Sequence, residues 1–342
     1  MQRKHLARLS TVVGIGLGVA AVAFVVRFLA RDWDEVSNSL ADARPGWVLA
    51  AFVVAAVAMT AIAVPWRTVL RVLGGELPLS EVIARYYVGE IGKYLPGGLW
   101  PVVGRGELAA RGGVPRTAAY GSVALSLALL YLAAMFVVLV SVPFMIAAGG
   151  SLRYLWVLVV LPMGLAILHH SVLERVRATA SRLTGREINL VIPAWRDSLT
   201  ILVSYIPSWL FVGTATWLVS RGLGADAGWV DIAPAAVQSW VVGFVLIPVP
   251  GGVGVREAAF LAAASSSLEP GVAAAVALVA RVLFVLVDAG GFILASAWLT
   301  HRRGDTRPEP APATAEPTAT TPSSSVSGTP GGCNISGLVT ME

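Results

Sequence analysis

From Thr117 to Ala147 the chain carries no charged side chain. That run exceeds the roughly 20 apolar residues an α-helix needs to cross the hydrocarbon core of a bilayer. In hydrocarbon every backbone N–H and C=O must find its partner inside the protein, so a run of this kind forms a membrane-spanning helix. A second run, Gly271 to Leu299, is interrupted only by Arg281 and Asp288. The remaining composition agrees: 56% of residues are hydrophobic and 13% charged, against about 25% charged in soluble domains. By the same length criterion, full spans are predicted near residues 10–29, 46–65, 117–147, 153–170, 198–219 and 271–299. The expected fold is an all-α polytopic membrane protein.

Two apolar regions, 82–112 and 232–268, do not fit as simple spans. Each holds a Pro-Gly-Gly break, Pro96-Gly97-Gly98 in the first and Pro250-Gly251-Gly252 in the second. Each break is followed by an arginine and a glutamate: Arg105 and Glu107, then Arg256 and Glu257. At membrane depth a broken backbone survives only where protein covers it or where it lines a cavity, so each break marks a candidate site.

Loop charges set the direction of these regions. If each is a re-entrant hairpin, the segments on one side (1–9, 66–81, 169–197 and 300 onward) hold thirteen Lys and Arg, and those on the other (31–45, 149–153 and 220–231) hold four. Cytoplasmic loops carry the excess of Lys and Arg, which puts the N-terminus and the C-terminal tail inside. Two complete crossings per region give the same orientation and stay open. Three spans separate the two regions, so hairpins would enter from opposite faces. The units 82–147 and 232–299 would then be inverted repeats of the kind found in secondary transporters.

The formal charge of +5 comes mainly from arginines beside apolar spans, a pattern of membrane orientation rather than of nucleic-acid binding. The one cysteine, Cys333, lies in a Pro/Ala/Thr/Ser-rich tail, and His5, His169, His170 and His301 show no metal-ligand spacing. No metal site and no cofactor is expected. No nucleophile elbow, phosphate loop or zinc-protease motif is present, so an enzyme is not expected either. Two domains follow: a transmembrane domain over 1–300 and a disordered cytoplasmic tail over 301–342. The N-terminal run reads as a retained helix without a convincing cleavage site. The Arg-rich stretch His169 to Asp197 reads as an ordinary cytoplasmic loop, with an interfacial segment as the alternative.

A helix that begins just after a break offers unpaired N–H groups and the positive end of its dipole to an anion, and a guanidinium adds bidentate phosphate geometry. The candidate binding residues are therefore Lys93, Tyr94, Pro96, Gly97, Gly98, Arg105 and Glu107 at the first break, and Pro250, Gly251, Gly252, Arg256 and Glu257 at the second. The structural alternative is that Arg105 pairs with Glu107, or Arg111 with a nearby acid. Arg281 and Asp288 share one face of the last helix two turns apart. They are candidates for gating or coupling, with Glu257 a natural partner for Arg281. Most of the aromatic residues near predicted interfaces, including Tyr86, Tyr87, Trp209, Trp217, Trp229 and Trp240, read as belt residues. Tyr94 and Trp100, beside the break, read as candidate cavity walls.

At Gly92-Lys93-Tyr94-Leu95-Pro96-Gly97-Gly98 and Pro250-Gly251-Gly252-Val253-Gly254-Val255-Arg256-Glu257 the chain resembles the membrane domain of lysylphosphatidylglycerol synthases and the wider flippase-like group. The likeness covers about residues 10–300. It implies a lipid flippase-like transporter of the bacterial cytoplasmic membrane, acting on an anionic phospholipid or a polyprenyl-phosphate-linked lipid. It also admits a non-transporting scaffold or accessory subunit for an envelope lipid or glycan synthase. In the two-domain synthases a soluble domain makes the lipid; in this sequence the tail stands in that place. Leu125 to Ala134 departs from the pattern, because relatives tend to carry a charged pair there and this segment is uncharged.

Overall fold

A computed structural model of the chain describes residues 43–94, 100–147, 157–167, 169–184, 191–245 and 254–305, with residues 41 and 252. Among them are ten α-helices: α1 (Pro45–Val72), α2 (Leu79–Glu90), α3 (Trp100–Arg111), α4 (Arg116–Ala147), α5 (Val157–Ile167), α6 (His170–Thr184), α7 (Trp195–Gly222), α8 (Trp229–Val245), α9 (Val255–Ala264) and α10 (Pro270–Asp305). A 3-10 turn, Ile91–Tyr94, extends α2. Four helices, α1, α4, α7 and α10, are long and apolar enough to cross a membrane. The all-α membrane fold is thus the one observed.

These four coincide with four of the six expected spans. The expected span at 10–29 lies outside the described residues, as do residues 153–156 and 168 of the one at 153–170. The described helix within the latter is the eleven-residue α5. The stretch read as a loop after it contains a helix, α6, with Val172 and Leu173 beside Arg175 and Arg182. Two boundaries also move. α1 continues past Pro65 to Val72 because its last turns enclose Trp66, Val69 and Leu70 completely. Burial at about 25 cal/mol per Å² outweighs the one hydrogen bond that a proline removes. α10 likewise continues to Asp305, so the first residues assigned to the tail are helical; residues 306–342 lie outside the described ones.

The order of elements repeats. α1 and α7 are each 28 residues long, and each is followed by a short helix, a break, another short helix and a long apolar helix. The joints match too. After α1, Gly74 N–H reaches Arg71 O at 3.0 Å and Gly75 N–H reaches Leu70 O at 2.8 Å; after α7, Gly224 N–H reaches Arg221 O at 3.2 Å and Ala225 N–H reaches Ser220 O at 3.0 Å. Both are Schellman caps, which need a left-handed residue after the last turn. Gly74 at φ 84° and Gly224 at φ 83° supply it.

The two units pack face to face. The start of α1 lies against the end of α7, with Arg44 N–H donating to Gly222 O at 2.8 Å and the Trp47 and Trp217 rings edge to face at 6.2 Å. α4 fills the space beside this pair and is held by neutral hydrogen bonds: Trp66 Nε1 donates to Ser122 Oγ at 3.1 Å, and Trp209 Nε1 to Leu130 O at 2.7 Å. Ser126 and Tyr205 hydroxyls meet at 2.6 Å. Tyr86, Tyr87 and Trp209 therefore belong to the core and not to an aromatic belt. Position along the chain marks depth, and the belt reading had no information on which way each ring faces.

Gly74→Ala and Gly224→Ala are each predicted to lose about 1–2 kcal/mol of stability, the cost of a left-handed Cβ. Gly46→Ala, which meets nothing within 4 Å, should melt with the wild type in a detergent thermal-shift assay.

Candidate functional site

α2 and α3 form one helical hairpin, and α8 and α9 form another. In the first, Arg85 near the middle of α2 donates to Leu108 O near the end of α3, while Gly92 lies against Trp100 and Pro101 at the start of α3. The arms are therefore antiparallel. They approach closely because Gly89 has no side chain: a Cβ there would stand 2.3 Å from Arg105 Cγ. The second hairpin, α8 and α9, repeats the device, with a Cβ at Gly243 falling 2.2 Å from Arg256 Cγ. In both, an arginine of the returning arm lies on a glycine of the outgoing arm.

One turn before each glycine stands an aromatic ring that takes the guanidinium. Arg105 Cζ is 5.4 Å from the Tyr86 ring centre and 5.8 Å from that of Trp66. Arg256 Cζ is 3.6 Å from that of Trp240. Both lie within cation–π range. Arg105 is 1% exposed, and its Nε is buried without a hydrogen-bond partner. Among the described residues, no carboxylate is within ion-pair distance of Arg105 or Arg256. The expected alternative, Arg105 paired with Glu107, is not what forms. Glu107 instead accepts from Arg111 Nε at 3.1 Å and Tyr120 OH at 3.3 Å, with Arg116 at 3.6 Å. Arg111 holds its carboxyl below the usual carboxylate range. Glu107 thus anchors the base of the hairpin.

The acids and cations left over tie both hairpins to α10. Glu257 accepts the Gly254 N–H at 2.6 Å, capping α9, and its other oxygen pairs with Arg281, the partner expected from the sequence. In the first hairpin Lys93 Nζ is 2.6 Å from Asp288 Oδ2 and 3.4 Å from Glu90 Oε1. Tyr94 OH donates to the same Asp288 oxygen at 2.6 Å. The polarity is opposite in the two ties: α10 supplies the anion to one hairpin and the cation to the other.

The two tips meet. Lys93 Nζ lies 5.7 Å from the centre of the Trp240 ring that Arg256 covers. Tyr131 from α4 is stacked on Phe244 of α8 at 3.7 Å. Gly252 packs on Arg256 and Gly243, its would-be Cβ 3.0 Å from Arg256 Cγ. Beside them a cleft lined by Trp240, Arg256, Glu257, Arg281 and Phe284 has a volume of about 20 Å³, room for one water. Pro96, Gly97, Gly98, Pro250 and Gly251 lie outside the described residues. Trp100 is 49% exposed and does not wall an enclosed cavity.

Sequence reading missed Gly89, Gly243, Tyr86, Trp66 and Trp240 as parts of this site. A signal was available in the shared spacing Tyr86-x-x-Gly89 and Trp240-x-x-Gly243, an aromatic and a glycine on one helical face.

Residues 11–289 match the family described as the lysylphosphatidylglycerol synthase TM region. The chain belongs to that family. It is a multi-pass membrane protein of the lysylphosphatidylglycerol synthase TM type, and the family points to a lipid-related role in the membrane. Among curated proteins, none matches the chain.

The Glu257–Arg281 tie is measurable on its own. In a double-mutant cycle of Glu257→Gln and Arg281→Gln, thermal unfolding in detergent is predicted to show a coupling of about 0.5–3 kcal/mol, the range for residues in contact. Additive losses would mean that the pair does not hold the second hairpin to α10.

Proposed function

We propose that this protein moves an anionic phospholipid or a polyprenyl-phosphate-linked lipid between the leaflets of the bacterial cytoplasmic membrane. One observation carries the reading: Lys93 from one hairpin and Arg256 from the other share the Trp240 ring, and Arg256 has no ion-pair partner among the described residues. Charges at membrane depth are costly and are kept for function. A phosphate would supply the missing counter-charge, bound through Arg256 and Arg105 and through the helix starts at Trp100 and Val255.

The packing of α1 against α7, start to end, supports an inverted repeat that begins one helix earlier than the units 82–147 and 232–299. On this reading the hairpins enter from opposite faces. Two apolar grooves on corresponding helices suit the lipid chains: one of about 350 Å³ between α4, α7 and α8, and one of about 550 Å³ between α1, α2 and α10. The headgroup would pass through the polar interior while its chains stay in these grooves. A cleft with room for one water must widen to admit it, and the ties to α10 are the contacts that yield. The excess of Lys and Arg in the loops on one side favours a cytoplasmic N-terminus and tail. The work proposed is transport by residues 1–300, not bond-making chemistry, with an envelope lipid or glycan synthase as a partner that supplies the lipid.

Proteoliposomes carrying fluorescent phosphatidylglycerol test this directly. Arg105→Gln and Arg256→Gln are each predicted to slow flipping roughly ten- to a hundredfold, the loss of a charge-assisted hydrogen bond of about 1.5–3 kcal/mol. Arg71→Gln, exposed at the end of α1 and outside both hairpins, should flip at the wild-type rate. Absence of flipping by the wild type, or equal rates in all three variants, would rule the reading out.

A further inference from the structure

Asp288 is 1% exposed, and its two oxygens are unequal. Oδ2 takes both Lys93 Nζ and Tyr94 OH, each at 2.6 Å, while Oδ1 is buried without a hydrogen-bond partner among the described residues. A buried carboxylate oxygen with no donor is costly. It is also a vacancy of one chemical kind, a place where a proton can sit.

The groups around it limit what can happen there. The 3-10 turn contributes Lys93 and Tyr94. α2 contributes Glu90, Tyr86 and Tyr87, the last bound to Thr60 at 2.9 Å. α9 contributes Arg256 and Glu257, and Glu257 is occupied by Arg281. α1 and α7 carry their charged residues only near their ends. The local set is therefore Lys93, Arg256 and Arg281 against Glu90, Asp288 and Glu257, which is neutral. If an anionic headgroup drew Lys93 onto its phosphate, Asp288 would be left as a bare buried anion and the set with the headgroup would stand at −1. Breaking a buried pair in that way is strongly unfavourable. One proton from solvent on Asp288 restores neutrality.

We propose that Asp288 is a proton site linked to headgroup binding: as a phosphodiester anion takes Lys93, a proton takes the lysine's place on Asp288. This rests on the reading above, because an anionic lipid is what draws Lys93 away. Tyr94 stays on Oδ2 and keeps the first hairpin near α10 during the exchange. Linkage then makes binding tighter as pH falls, by up to tenfold per unit where free Asp288 is charged.

The test is titration calorimetry of the full chain in a neutral detergent, with dihexanoyl phosphatidylglycerol, in two buffers of different ionisation enthalpy. The phosphodiester does not titrate near neutral pH, so any proton taken up belongs to the protein. The wild type should take up about one proton per lipid bound, and Asp288→Asn should bind with none. If Asp288→Asn does not fold, the pH dependence of wild-type binding replaces it: affinity should rise by up to about tenfold for each unit that pH falls, and a pH-independent affinity overturns the inference. A parallel titration with glycerophosphoglycerol separates headgroup from lipid, and uptake with either ligand supports the exchange. Wild-type binding without proton uptake, or full uptake in Asp288→Asn, overturns this inference and leaves the transport reading standing. No binding of either ligand by the wild type removes both.

Discussion

A lysine largely enclosed by apolar helices is tolerated only beside a counter-charge, and in this bundle Asp288 provides it. The pair does more than neutralise. Lys93 sits on the last turn before the first break, and Asp288 sits near the middle of α10, so their 2.6 Å contact fixes the tip of a hairpin to a membrane-spanning helix. The Glu257–Arg281 pair does the same for the second hairpin. Short helices such as α3 and α9, about 18 and 15 Å long, fall short of the ~30 Å core and cannot be positioned by spanning it. Their position comes from glycine contacts along the arms and from these ties at the tips.

How much of this was legible in the sequence depends on which physical signal carried it. Long uncharged runs are read directly, so α1, α4, α7 and α10 were visible from hydropathy, as were the two broken regions between them. Arg281 and Glu257 could be matched because a buried charge demands an opposite one and few candidates existed. Lys93 and Asp288 were each singled out, but not as partners, because almost two hundred residues separate them and no periodicity links them. The ends of α1 and α10 were misplaced for another reason. Pro65 and the polar residues after Leu299 are local helix-ending signals, and burial or simple continuation overrode them. The facing of Trp209 and Tyr86 was not legible at all, since hydropathy reports depth and not rotation.

The two halves share a plan without sharing their chemistry. Each has the glycine under the arginine and the aromatic one turn before it, because those are requirements of two helix arms packed at close range. The charges differ. The uncharged segment Leu125 to Ala134 in α4 holds Ser126 on Tyr205. Of the two long helices that follow the hairpins, α10 alone carries charges at mid-length. That makes α10 the post to which both hairpins are tied, and it explains why the first hairpin reaches across to the second unit for its counter-charge.

Both ties end on α10, two turns or about 10 Å apart, and they restrain hairpins belonging to different units. A tilt of that helix about a point between Arg281 and Asp288 stretches one tie while it slackens the other. The two hairpins therefore form a seesaw on a single beam, each tie tightening as the other slackens.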